Sequence, residues 1–86
     1  MSRRLTPLHW RELVRVFEAD GFQEERRRGS HIVLTKRGVG RPVVIPQYRT
    51  VGLDIIKSNM RTAGMSRQRF FELLDGPRTS SRDDKS

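Results

Sequence analysis

The stretch Arg26-Arg27-Arg28-Gly29-Ser30-His31-Ile32-Val33-Leu34 puts an imidazole just after three guanidinium groups and a turn glycine, and at the head of an apolar strand. An unperturbed imidazole titrates near pH ~6.5, so His31 can give and take a proton near neutrality without special tuning. Proton transfer beside a bound anion is the chemistry such a grouping suits. Tyr48, in a loop after Pro46, can stack on a base or donate to a phosphate, but a phenol that titrates near ~10 is a poor base at neutral pH.

The composition agrees with an anionic partner. The chain carries a net charge of +8 over 86 residues, and because Asp75, Asp83 and Asp84 offset Arg78, Arg82 and Lys85, the excess lies on the part before residue 75. A small, strongly basic domain points to a polyanion, nucleic acid being the commonest. Fifteen arginines against three lysines add weight, since a planar fork can grip a phosphate at two points. Cysteine is absent, which excludes disulfides, thiolate chemistry and cysteine-based zinc sites. Two histidines far apart, His9 and His31, do not make a metal site, and no cofactor is expected. No segment reaches the roughly 18 consecutive apolar residues of a spanning helix, and the first residues lack a signal-peptide core. The expectation is a cytoplasmic protein without membrane contact.

With 34% apolar and 33% charged residues, the chain can build one domain with a small core. Thr6-Pro7 reads as a helix N-cap and first helical residue, and Trp10, Leu13, Val14 and Phe17 recur at the i, i+3, i+4, i+7 spacing of one buried helix face as far as about Asp20. Gly21 suits the helix end, with Phe22 placed to touch Phe17. Residues 22–27 read as a charged edge strand, 30–36 as an apolar second strand and 41–46 as a third, joined by turns at Arg28-Gly29 and Gly38-Val39-Gly40. Alternation sets Ile32 and Leu34 on one face and His31, Val33 and Thr35 on the other, so His31 points outward if the helices cover the first of these. A second helix should start near Gly52 to Asp54, present Leu53, Ile56, Met60 and Ala63, and end at Gly64. Ser66 should cap a third, with Met65 and Phe70 as a staple and Gly76-Pro77 as its stop. The polar residues 75–86 are expected to be a disordered tail after a domain spanning 1–74. The resulting order, αβββα with a further helix, is a two-layer α+β sandwich: a three-stranded antiparallel sheet with helices on one face, as in double-stranded RNA-binding domains.

Several of these residues also carry a family likeness. Gly29-Ser30-His31, Val44-Ile45-Pro46, Lys57-Ser58 and Arg61-Thr62-Ala63-Gly64-Met65-Ser66, followed by Phe71-Glu72-Leu73-Leu74, resemble in order and separation the HicA-like mRNA interferase toxins. The resemblance covers residues 8–74. It implies a double-stranded-RNA-binding-like fold, endoribonuclease activity on mRNA, inhibition by a HicB-type antitoxin, and a catalytic role for His31 with Gly29 and Ser30 shaping its approach. The chain departs from the family pattern in having Tyr48 and Ile32 where many members have further histidines, which puts a two-imidazole mechanism in doubt.

Under that reading His31 is general base or acid at a ribose 2′-OH, with the adjacent phosphate as electrophile and a cyclic phosphate as product. RNA supplies its own nucleophile, so no metal is called for. The RNA-binding candidates are Arg26, Arg27 and Arg28 beside it, Ser30 at the turn, Lys36 and Arg41 around the second turn, Tyr48, and Lys57, which shares a helix face with Arg61. Each has an ordinary counterpart: a strand histidine without a task, a solvated charge run, a backbone-serving serine, a loop aromatic. Strand alternation cannot aim all three arginines at one ligand, so one or two are expected to act. His9 has no such neighbours and no role. The rival functions are a non-catalytic RNA-binding module and a protein-docking element for an acidic partner.

Overall fold

The first helix, α1 (Trp10–Ala19), buries Leu13, Val14, Val16 and Phe17 and half-buries Trp10. It begins later than Thr6-Pro7. Leu8 is held extended by an antiparallel bridge to Val51, with N–H···O distances of 3.2 and 2.7 Å, so the helix cannot start before His9. His9 is the N-cap, its Nδ1 accepting the Arg11 N–H at 3.1 Å and satisfying one of the free donors of the first turn. At the other end the Phe22 N–H reaches back to the Phe17 carbonyl at 3.0 Å, and the two rings meet edge to face with centroids 5.6 Å apart. That contact is the one expected from the sequence, and it turns the chain into the sheet.

Three strands follow, β1 (Gln23–Arg28), β2 (His31–Thr35) and β3 (Val43–Pro46), paired antiparallel in the order β1-β2-β3. Ile32 and Leu34 pair with Ile45 and Val43, and all four are fully buried in one core with Leu13, Val16, Phe17, Val51, Ile56 and Phe70. The alternate residues leave by the opposite face, so His31 is exposed on the open side of the sheet.

The second helix, α2 (Leu53–Ala63), follows Gly52, carries Asp54 in its first turn and ends at Gly64 in the left-handed conformation at φ 66, with the Met65 N–H on the Met60 carbonyl at 2.8 Å. Ser66 Oγ then accepts the Arg69 N–H at 3.1 Å to open α3 (Arg67–Lys85), and Met65 and Phe70 are buried together as a staple would require. α3 does not stop at Gly76-Pro77. Its backbone is helical to Lys85, and Gly76, lacking a Cβ, is the residue type that least obstructs a following proline. The computed structural model describes residues 3–85, with side chains as far as Gly76, so the expected tail disorder falls largely outside the described side chains. Asp20, at the end of α1, ties the layers together through ion pairs to Lys36 at 3.3 Å and Arg69 at 3.2 Å.

The result is the expected α+β layout of double-stranded RNA-binding type, with three helices and a three-stranded antiparallel sheet. Among the described residues no helix is long and apolar enough to cross a membrane. Because Phe17 has no exposed surface and anchors both the helix end and the first strand, Phe17→Ala should cost about 3–5 kcal/mol. In urea titration the midpoint should fall with an unchanged slope, and a smaller loss would mean that the turn holds without the ring pair.

Candidate active site

Gly29 and Ser30 form the two-residue turn joining β1 to β2, and Gly29 sits at φ 60, a value that a Cβ disfavours. The turn sets Arg28 directly opposite His31. Opposed residues project from one face with Cβ atoms about 5 Å apart, which puts a guanidinium beside the imidazole. Arg26 opposes Val33 on the same face. On the other side of β2, His31 opposes Pro46 and Val33 opposes Val44. The open face therefore carries two rows, Arg28-His31-Pro46 and Arg26-Val33-Val44.

A bulge decides which other β1 side chains join them. The register shifts between Glu24 and Arg26, so Glu24 opposes Leu34 and Gln23 opposes Thr35. Without the extra residue Glu24 would oppose Thr35 on the open face, one row from Arg26. The bulge moves that carboxylate to the helix side of the sheet. There it holds Arg27, which opposes the buried Ile32, at 2.7 Å from Arg27 Nε. Arg27 also lies over the Trp10 ring of α1 at 5.9 Å. Arg26 and Arg28 have no ion pair among the described residues.

At the opposite edge α2 runs alongside β3. Asn59, 7% exposed, donates from Nδ2 to the Val44 carbonyl at 3.0 Å and fixes the helix there. Between the two lies a groove of about 490 Å³, lined by His31, Val44, Pro46 and Tyr48 on one side and by Asp54, Ile55, Ser58 and Asn59 of α2 on the other. The Tyr48 segment is well anchored: the Ser30 carbonyl accepts from Gln47 N–H at 2.8 Å, Tyr48 N–H reaches the Pro46 carbonyl at 2.8 Å, and the Tyr48 carbonyl accepts from Trp10 N–H at 3.2 Å. The phenol itself is free to meet a ligand, with Tyr48 51% exposed.

Of the residues singled out from the sequence, Arg26, Arg28, His31 and Tyr48 thus share the open face or its groove. Ser30 is exposed at the turn beside them. Arg27 is on the helix side. Lys36 turns away too, bound to Asp20 and lying 5.6 Å from the Phe22 ring centroid. Lys57 lines a separate shallow pocket with Leu5, Met60 and Arg67, and Arg41 lines a polar one with Ser58, Arg61 and Thr62. Asp54, Ile55, Ser58 and Asn59 were not singled out as a group. Their i, i+1, i+4, i+5 spacing is that of one helical stripe, offset from the apolar stripe of Ile56 and Met60, and could have been read as a second working face.

The electrostatic signature of β1 lies in the Glu24–Arg27 pair. The hydrogen bond from Arg27 lowers the Glu24 carboxyl below its ordinary range, and the same bond raises the Arg27 guanidinium. The structure thus combines a basic two-layer domain with a protonable imidazole on its open sheet face and unpaired guanidinium groups alongside, an arrangement of RNA-binding-fold type.

The model of the HicA toxin family of bacterial toxin–antitoxin systems matches residues 10–65, and the chain belongs to that family. The matched span runs from the start of α1 past the end of α2 and includes His31 and the whole groove wall. No curated protein and no solved structure matches the chain to the same standard.

Because the Glu24 carboxyl is lowered in the folded state, the stability it lends is present above the ordinary carboxylate range and is lost as pH falls through its lowered value. In Arg27→Ala, NMR titration should show the Glu24 carboxyl returning upward toward its ordinary value. An unchanged titration curve would mean that the pair does not form in solution.

Proposed function

We propose that the chain is a toxin endoribonuclease that cleaves mRNA at the groove beside His31 and is restrained by an antitoxin of HicB type. The observation that carries the reading is the direct opposition of Arg28 and His31 across the Gly29-Ser30 turn. A phosphate held by Arg28, with Arg26 behind it, lies within reach of the imidazole. His31 then takes the proton of the ribose 2′-OH, the 2′-oxygen attacks phosphorus, and the bond from phosphorus to the 5′-oxygen breaks. The departing 5′-oxygen takes a proton from solvent in the open groove, leaving a 2′,3′-cyclic phosphate. Arg28 offsets the charge that builds on the phosphate oxygens in the transition state. The apolar surface of Val44, Pro46 and Ile55, with Tyr48, offers bases a place to stack.

One observation favours a second reading, a non-catalytic RNA-binding module. The groove holds a single imidazole, with a phenol at Tyr48, and the other histidine caps α1.

The two separate in one experiment: mixed RNA is incubated in EDTA with the purified chain and with His31→Ala, following fragments and their 3′ ends. The expected result is cutting to cyclic-phosphate ends by the parent and a loss of roughly 10²–10⁴-fold in the variant, which should melt like the parent because His31 is exposed. Equal cutting by both would remove His31 from the mechanism, and binding without cutting by either would establish the second reading.

A further inference from the structure

The groove beside His31 continues into a second cavity. Ser58 lines both, and the second, of about 280 Å³, is completed by Arg41, Arg61 and Thr62. Its lining is two guanidinium groups and two hydroxyls, with neither a carboxylate nor a large apolar side chain. Arg41 and Arg61 are exposed and have no ion pair among the described residues.

We infer that this pocket is a second phosphate subsite, which holds the phosphate next to the scissile one and so fixes the direction in which an RNA strand crosses the sheet edge. The inference rests on the reading that RNA occupies the His31 groove. Three observations support it. Arginine forks and hydroxyl donors are the groups that bind a phosphodiester without regard to base, since both present N–H or O–H to its oxygens. Ser58 and Thr62 stand one turn apart on α2, so both hydroxyls share a helix face with Arg61 beside them. The residues of the first cavity on α2 centre between Ile55 and Ser58, and those of the second centre near Arg61. The two cavities therefore follow each other along the helix by about one turn, roughly 5.4 Å, a separation comparable with that of successive phosphates on an extended strand.

The placement also gives Arg41 a function different from that of Arg28. Arg28 is beside the imidazole and acts on the phosphate under attack. Arg41 and Arg61 touch no reacting atom and act only by holding the neighbouring nucleotide in register. Their contribution should therefore appear in binding and in dependence on substrate length, while cleavage of a dinucleotide with one phosphate is left unchanged.

The test uses the full chain and a short 2′-O-methyl oligoribonucleotide, which lacks the nucleophile and cannot be cut. Binding is measured against salt, and each phosphate in turn is replaced by a neutral methylphosphonate. For Arg41→Ala/Arg61→Ala the slope of log affinity against log salt should shrink by about 1.4, or about 0.7 for each lost phosphate contact on a single strand. Affinity at low salt should fall roughly ten-fold or more. One phosphate whose neutralisation weakens the parent should become indifferent in the variant. A charge-matched Arg11→Ala/Arg15→Ala protein on α1 should keep that sensitive position. An unchanged slope and scan would overturn the subsite, as would the same loss in the charge-matched protein or a parent that does not bind the probe at all. If the parent binds as described but does not cut the corresponding unmodified RNA, the nuclease reading fails while the subsite stands.

Discussion

Burial of Ile32 and Leu34 is the constraint on which the other features depend. Side chains on a strand alternate, so once these two enter the core opposite Ile45 and Val43, His31 and Val33 must leave by the far face. A slip of one residue would turn His31 inward and expose Ile32, at a cost no surface interaction could offset. The position of the imidazole is thus fixed by packing and not by any bond to the imidazole itself. Core stability and the geometry of the proposed site are for this reason one property: the helix face of Leu13, Val16 and Phe17 that covers the sheet also holds the open face in register.

The two edges of the sheet are handled differently, and the site lies between them. β1 is an edge strand exposed along its whole length, protected by charge, and its bulge sorts those charges. Arg26 and Arg28 go to the open face, while Glu24 and Arg27 neutralise each other on the helix side. β3 is flanked by a helix, with Asn59 satisfying the Val44 carbonyl. One side of the imidazole is therefore cationic and solvated, and the other is a groove with apolar surface. This polarity gives the proposed substrate two distinct footings, phosphate toward β1 and base or sugar toward α2.

Most of the architecture was legible because it is written in local patterns. The Phe17 and Phe22 contact, the end of α2 at Gly64, the staple of Met65 and Phe70 and the outward turn of His31 each follow from a short-range rule. What escaped the sequence depends on distant partners. The start of α1 moved from Thr6-Pro7 to His9 because Leu8 pairs with Val51, a contact no local propensity encodes. The bulge at Glu25 is invisible in a run of charged residues, all of which suit an exposed edge, so the separation of Arg27 from Arg26 and Arg28 could be expected in number but not in identity. Lys36 looked like part of a basic track, and it is instead a strut to Asp20, because the end of α1 comes to rest beside the end of β2. The α2 wall was missed because attention to the apolar stripe of a helix hides a polar stripe beside it.

The charge of the chain has to be discounted in the same way. A net +8 suggests a uniformly basic body, yet many of its cations are already committed: Arg3 to Asp75, Arg15 to Glu12, Arg27 to Glu24, Lys36 and Arg69 to Asp20. Such pairs are exposed or nearly so and add little stability each, but they cancel field at the places where they stand. The excess that remains for a polyanion is concentrated on cations without such pairs, Arg26 and Arg28 on the open face and Arg41 and Arg61 along α2. These flank the His31 groove from opposite sides. A strand attracted by the long-range field would thus be drawn toward the groove from either edge, and the ion pairs elsewhere on the domain make that path selective by removing competing ones.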